Sequence, residues 1–210
     1  MALTDWSETF SFSTYPEDIF IEPFDNSNNW TLASQNEGSI SEVADGLLKL
    51  YSDGSQHYAN ATCLWDFKSI PEIGWEFQVT IDCPVYDVDY HNDSYIYSLD
   101  GLNYISWVYK RWTAYSGLWV SINGQSWMSN QILIPGLPEQ IRLRIVFDAI
   151  NTATVSWKNI GDSDWTPGCT KTMTISSETV MYVLLSNWNY GPQWVYYDDV
   201  YIRGRHVVID

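Results

Sequence analysis

Hydrophobic and polar residues alternate with a period of two along most of this chain. Trp75, Phe77, Val79 and Ile81 alternate with Glu76, Gln78, Thr80 and Asp82. Ile141, Leu143, Ile145 and Phe147 are interleaved with Arg142, Arg144 and Val146. Successive side chains of an extended chain point to opposite faces. Each such run therefore sends one row into a core and the other toward water or a second layer. Helical periodicity is almost absent. Turn signals recur at short intervals: Asp45-Gly46, Asp53-Gly54, Asp100-Gly101, Asn123-Gly124 and Gly161-Asp162. Strands are predicted at 31–35, 39–44, 47–51, 59–67, 74–83, 95–99, 104–112, 118–122, 125–129, 140–149, 152–158, 171–175, 180–187 and 194–203. Asn123-Gly124 predicts a type I′ hairpin between 118–122 and 125–129, and Ile150-Asn151 joins the strands on either side of it.

So many antiparallel strands must close on themselves or stack as two sheets. Uneven strand lengths and some long loops favour an all-β, two-sheet antiparallel jelly-roll β-sandwich over a barrel. Residues 24–210 form that domain. Residues 1–23 differ: a Ser-, Thr- and Phe-rich stretch is interrupted by Pro16 and Pro23. This segment reads as an extended N-terminal arm that docks on a neighbouring assembly subunit, or as an edge strand of the same domain.

Composition narrows the function. The chain has 210 residues, 45% of them hydrophobic, which is enough for one sizeable core. A formal net charge of -16 repels phosphate backbones and anionic membranes, so nucleic-acid partners are disfavoured. No apolar run is long enough for membrane insertion. The start, Met-Ala-Leu-Thr-Asp-Trp-Ser-Glu, lacks the basic and apolar regions of a signal peptide. The expected location is a virion or an extracellular surface reached by lysis. Cys63, Cys83 and Cys169 form no CxxC pair, and an odd count argues against a disulfide framework. Twelve Trp and 15 Tyr exceed what packing alone demands. Both residues combine a flat apolar ring with a polar tip, the chemistry that stacks on sugar rings and anchors interfaces.

Three stretches together resemble the concanavalin A-like lectin/glucanase superfamily, including its laminin G-like modules. The first runs from Phe24-Asp25 through Trp30-Thr31 to Asp45-Gly46-Leu47-Leu48-Lys49-Leu50. The second joins 75–81 to 141–148 and Ala153-Thr154-Val155-Ser156-Trp157. The third is the closing run 195–204, similar to the family's C-terminal strand that returns beside the first. The resemblance implies a jelly roll that hosts lectins, glycan-binding modules, glycoside hydrolases and virion proteins alike. It also implies a structural calcium where first and last strands meet, which carries over to Asp199, with Asp25 and the loop at Asp45 as helpers.

Catalysis finds little support. The family's glucanases carry their carboxylates as Glu-x-Asp-x-Glu on one strand, and this chain has no such stretch. Asp87-Val88-Asp89, with Asp93 beyond, follows Pro84 and reads as a loop. Its alternating oxygens suit calcium better, although the spacing is not that of an EF-hand. His57, His91 and His206 stand alone. The most suggestive binding segment is Asn187-Trp188-Asn189-Tyr190-Gly191, read as a loop in which two amides bracket two rings. A second concentration holds Tyr104, Trp107, Tyr109, Arg111, Trp112 and Tyr115. Trp119 lies opposite Leu118, Val120 and Ile122, hence toward solvent, while Trp107 and Trp157 are assigned to the core. The reading is a non-catalytic carbohydrate-binding or adhesion module whose partner is a glycan or polysaccharide. The alternative is a structural virion protein, a capsid decoration or tail subunit. A glycan-cleaving enzyme is a third option.

Overall fold

Alternating runs become strands because each can bury its apolar row only against a second layer. The computed structural model describes residues 18–34, 38–54, 58–63, 67–68, 74–84, 90–91, 94–98, 104–111, 116–122, 131–149, 152–172, 180–189 and 192–204. Among them lie β1 (Asp18–Glu22), β2 (Trp30–Ser34), β3 (Ser39–Ala44), β4 (Leu47–Asp53), β5 (Tyr58–Cys63) and β6 (Phe67–Lys68). Then come β7 (Glu76–Asp82), β8 (Tyr90–His91), β9 (Ser94–Ser98), β10 (Tyr104–Lys110), β11 (Gly117–Ile122) and β12 (Gln131–Ile132). The last are β13 (Gln140–Ala149), β14 (Thr152–Asn159), β15 (Thr166–Thr172), β16 (Val180–Asn189) and β17 (Pro192–Gly204).

They form two sheets in which every pairing is antiparallel. One is eight-stranded, in the order β15-β14-β13-β7-β17-β4-β3, with β1 also on β17. The other is nine-stranded, β12-β11-β10-β9-β16-β5-β2, with β6 and β8 also on β16. The two inner faces share one core. Phe77, Val79, Ile81, Leu143, Ile145 and Tyr197 come from the first sheet, and Ile96, Ile105, Trp107, Val120, Val183 and Leu185 from the second. Phe77 and Trp107 meet across the gap with ring centroids 5.2 Å apart. Trp107 and Trp157 are buried, as their alternation required.

Polar side chains stitch the sheets together. Tyr197 donates its hydroxyl to the Ser186 carbonyl at 2.6 Å and contacts Ser94 Oγ at 2.9 Å. Asn187 Nδ2 donates to the carbonyls of Leu50 (2.8 Å) and Gln193 (2.9 Å). In a dry core such bonds are strong and fix the register of the layers.

Several strand bounds differ from expectation, most of all at β15. Residues 18–22, at the end of the segment read as an arm or edge strand, pair with β17 from Asp18↔Gly204 to Glu22↔Val200. Residues 1–17 lie outside the described residues. The strand expected at 171–175 starts earlier, as β15 over Thr166–Thr172, and residues 173–175 lie outside the described residues. Pro167 and Gly168 read as breakers, but β15 is the edge of its sheet, where a missing N–H is tolerated. The run expected at 125–129, with its Asn123-Gly124 hairpin, lies outside the described residues. Cys83 is buried and Cys169 half-buried, and neither is in a disulfide. No helix among the described residues is long and apolar enough to cross a membrane.

Candidate carbohydrate-binding face

The outward face of the nine-stranded sheet is set by alternation. Ile96, Ile105, Trp107 and Val183 point into the core, so Tyr95, Tyr97, Tyr104 and Tyr182 point out. Register then aligns them. Tyr104 on β10 lies opposite Tyr97 on β9, which lies opposite Tyr182 on β16. Neighbouring strands are about 4.8 Å apart, so this row of three tyrosines spans roughly 10 Å. The next row reads Ser121, Ser106, Tyr95, Leu184, Thr62 and Thr31 across six strands. Tyr97 and Tyr182 pack at 5.8 Å between centroids, and Tyr95 and Tyr104 at 6.1 Å, edge to face. All four are half-buried. Their mutual packing restricts their rotamers and leaves apolar ring surface with phenol hydroxyls beside it.

The part of this face on β10 and β11 differs. Ser106, Val108, Trp119 and Ser121 point away from the inter-sheet core yet are buried. Ser106 is 0% exposed, and its hydroxyl has no hydrogen-bond partner. Trp119, expected to face solvent, is only 8% exposed and stands opposite Val108. Its orientation follows the alternation, but its exposure was decided by packing on that outer surface.

Other anticipated residues fall elsewhere. Asn187 is not a loop amide. It sits inside strand β16, fully buried, with both amide hydrogens given to backbone carbonyls, so it ties the two sheets together and offers nothing to a ligand. Trp188 and Asn189 continue β16, in register with His91 and Tyr90. Tyr190, Trp112, Tyr115, Asp87, Asp89 and Asp93 lie outside the described residues. The second aromatic concentration splits by parity. Tyr104 points outward, whereas Tyr109 is buried and donates its hydroxyl to the Pro138 carbonyl at 2.6 Å. Burial pushes the Tyr109 hydroxyl pKa well above its usual value. Arg111 reaches the carbonyls of Leu137 (3.0 Å) and Cys83, so it clamps the 134–139 turn.

The residues around Asp199 do not fit a calcium ion. Asp199 sits at φ 50 where the β17 register shifts, and its Oδ2 accepts from Thr80 Oγ1 at 3.2 Å and faces Arg142 Nη1 at 3.4 Å. A guanidinium already supplies the positive charge there. Asp25 is exposed, and no group of three or more His, Cys, Asp or Glu able to hold a metal occurs among the described residues.

Tyr95, Tyr97 and Tyr182 were missed in the linear sequence, where they are single aromatics in ordinary strands. Their signal was the alternation Tyr95-Ile96-Tyr97 and Tyr182-Val183. Only pairing between strands far apart in sequence assembles the row.

Two antiparallel sheets packed face to face around one core make this chain a concanavalin A-like jelly-roll sandwich. No protein-family model matches the sequence, and no curated protein does. Solved structures with the same fold include the CBM2 module of the evolved Dit of Lactobacillus casei BL23 phage J-1, with TM-score 0.63 and 11% identity over 92% of this chain and 99% of that one. Arcelin-5, a lectin-like defense protein from Phaseolus vulgaris, has TM-score 0.63 and 11% identity over 90% of this chain and 99% of its own. The catalytic domain of a Thermotoga petrophila endo-1,3-beta-glucanase has TM-score 0.53 and 12% identity, covering 90% and 99%. The shared fold is thus one that carries both binding modules and glycosidases.

Proposed function

We propose that this chain is a non-catalytic carbohydrate-binding module that holds a glycan across the outer face of its nine-stranded sheet. The observation that carries this reading is the cross-strand row Tyr104, Tyr97 and Tyr182, with Tyr95 beside it. Apolar ring faces stack on the C–H faces of sugars while phenols and nearby hydroxyls bond to sugar hydroxyls. Breaking a glycosidic bond takes a pair of carboxylates across a cleft. Among the described side chains, the strands of this face present Tyr, Ser, Thr, Asn, Gln, Ala, Val, Leu, Trp and Lys110, and no Asp or Glu. Fold similarity to a phage Dit module and a lectin-like protein supports binding, and the former supports display on a virion.

The test is a glycan array probed with wild type and with Tyr97→Ala/Tyr182→Ala, each with calcium and with a chelator. Retention should fall at least tenfold in the double variant without loss of the folded near-ultraviolet signal. Unchanged retention sinks the assignment. Binding lost on chelation in wild type would move the site to the acidic stretch with Asp87, Asp89 and Asp93.

A second reading, an assembly subunit, is favoured by one observation. Ile19 and Ile21 on edge strand β1 are 57% and 66% exposed. Assembly through this edge should fail in Ile19→Asp/Ile21→Asp while glycan retention persists. Deleting residues 1–23 is a poorer test, because it removes β1 from the sheet.

A further inference from the structure

The opposite outer face, that of the eight-stranded sheet, carries a second aromatic surface. Ile40, Tyr51 and Trp194 lie in one cross-strand row over β3, β4 and β17. Two residues on along β17, Tyr196 points the same way, and Asp198 follows it. The rings of Trp194 and Tyr196 are parallel to within 3° at 6.1 Å, and Tyr51 lies 5.0 Å from Trp194. All three are half-buried and Ile40 is 41% exposed. Rings that pack against each other are held in place before a ligand arrives, which lowers the entropy cost of binding.

Acceptors border the rings on one side. Asp82 lies directly opposite Tyr196. Its Oδ2 accepts from Gln140 at 2.7 Å, while its Oδ1 is buried without a partner. Asp198 Oδ1 accepts the Asp199 amide at 2.7 Å. Desolvation raises the pKa of both carboxyls. Further along the sheet, polar groups satisfy one another. Arg142 donates to Gln78, Gln78 to Glu76, and Arg144 and Arg203 both meet Glu76. The open chemistry is therefore at the aromatic end: stacking surface flanked by the half-buried carboxylates of Asp82 and Asp198, of which Asp82 keeps one buried oxygen without a donor. A neutral sugar supplies hydroxyl donors and an apolar ring face together. Lys49, opposite Tyr196 on β4, is already paired with Asp45, so an acidic sugar would meet Asp82, Asp198 and an overall charge of -16.

We infer that Tyr51, Trp194 and Tyr196, with Asp82 and Asp198, form a second site for a neutral polysaccharide, on the side of the sandwich away from the tyrosine row. The inference rests on the glycan reading above and adds to it. One monomer would then bridge two polysaccharide chains.

The experiment titrates laminarin, xylan and mannan, each in turn, into the full chain. Calorimetry gives the stoichiometry, turbidity reports cross-linking, and sedimentation confirms a monomer. Wild type should bind two equivalents of a short oligosaccharide of whichever polymer it retains, and should precipitate the polymer. Trp194→Ala/Tyr196→Ala should drop to one equivalent and lose precipitation, the remaining equivalent proving that it is folded. Asp198→Asn, a smaller change, should weaken only the second equivalent. One equivalent in wild type, or two in the Trp194/Tyr196 variant, overturns the second site and leaves the first intact. Binding of none of the three polymers overturns both. Precipitation that follows self-association of the protein would also overturn the inference, since the strip would then be a contact between copies.

Discussion

Glu22 offers the sharpest check on how the sandwich is held together. It is only 2% exposed and serves three donors. Oε1 accepts from the Phe24 amide at 2.7 Å, and Oε2 from Asn29 Nδ2 at 2.8 Å and Trp30 Nε1 at 3.1 Å. One carboxylate thus joins β1 of the first sheet to β2 of the second. In Glu22→Gln one acceptor oxygen becomes a donor. With the remaining oxygen kept on Asn29 and Trp30, the buried Phe24 N–H faces an N–H and goes unsatisfied, at about 1–3 kcal/mol. The other two bonds change from charge-assisted to neutral, a loss of about 1 kcal/mol each. Relief of carboxylate desolvation offsets part of this. The net destabilisation is about 2–4 kcal/mol. For a domain of this size each kcal/mol moves Tm by about 2–4 °C, so Tm should fall by about 5–15 °C. Differential scanning calorimetry reads this, with urea unfolding as a check. Glu22→Ala, which leaves all three donors without an acceptor, should be worse than Glu22→Gln. Glycan retention by folded Glu22→Gln should be unchanged, because the residue does not line the tyrosine face. A Tm within about 1 °C of wild type would refute the three-donor arrangement and the role of β1 as part of the domain.

Two further outcomes test packing and electrostatics. A Cβ at Gly204 would lie 2.3 Å from Trp75 Cδ1, a core ring that packs edge-on to Phe147 at 5.7 Å. Gly204→Ala should therefore cost about 1–3 kcal/mol by overpacking, visible as a lower urea midpoint. Burial raises the folded pKa of Asp82 and Asp198 above the ordinary 3.8. Between that value and the raised one the folded state holds more protons than the unfolded state. Their contribution is fully present below 3.8 and is lost as pH rises through the folded pKa values. Melting temperature should fall across that window on going toward neutral pH, and Asp82→Asn should flatten the profile. An unchanged profile in Asp82→Asn would assign the trend to general repulsion within an acidic chain.

Period-two patterning by itself determined that this is an all-β chain, and uneven strand lengths with long loops favoured two packed layers over a closed barrel. An alternating strand has one apolar row, and that row must be buried inside a closed barrel or against a second layer. Strands Ser39–Ala44 and Gln140–Ala149 were legible to the residue, because clear turn signals or long uninterrupted alternation bound them. The early start of β15 was not legible, since local breakers cannot reveal that a strand will lie at an edge. The aromatic count pointed to ring-based recognition, but did not say which rings. Tyr97 and Tyr182 are 85 positions apart and become neighbours only through the β9–β16 pairing. Conversely, Asn187, in the most suggestive motif of the chain, is consumed by two carbonyls, one of them 137 residues away. Local sequence fixes which way a side chain points from its strand. What it meets there depends on pairing between distant strands, and that is where the tertiary structure decided the site.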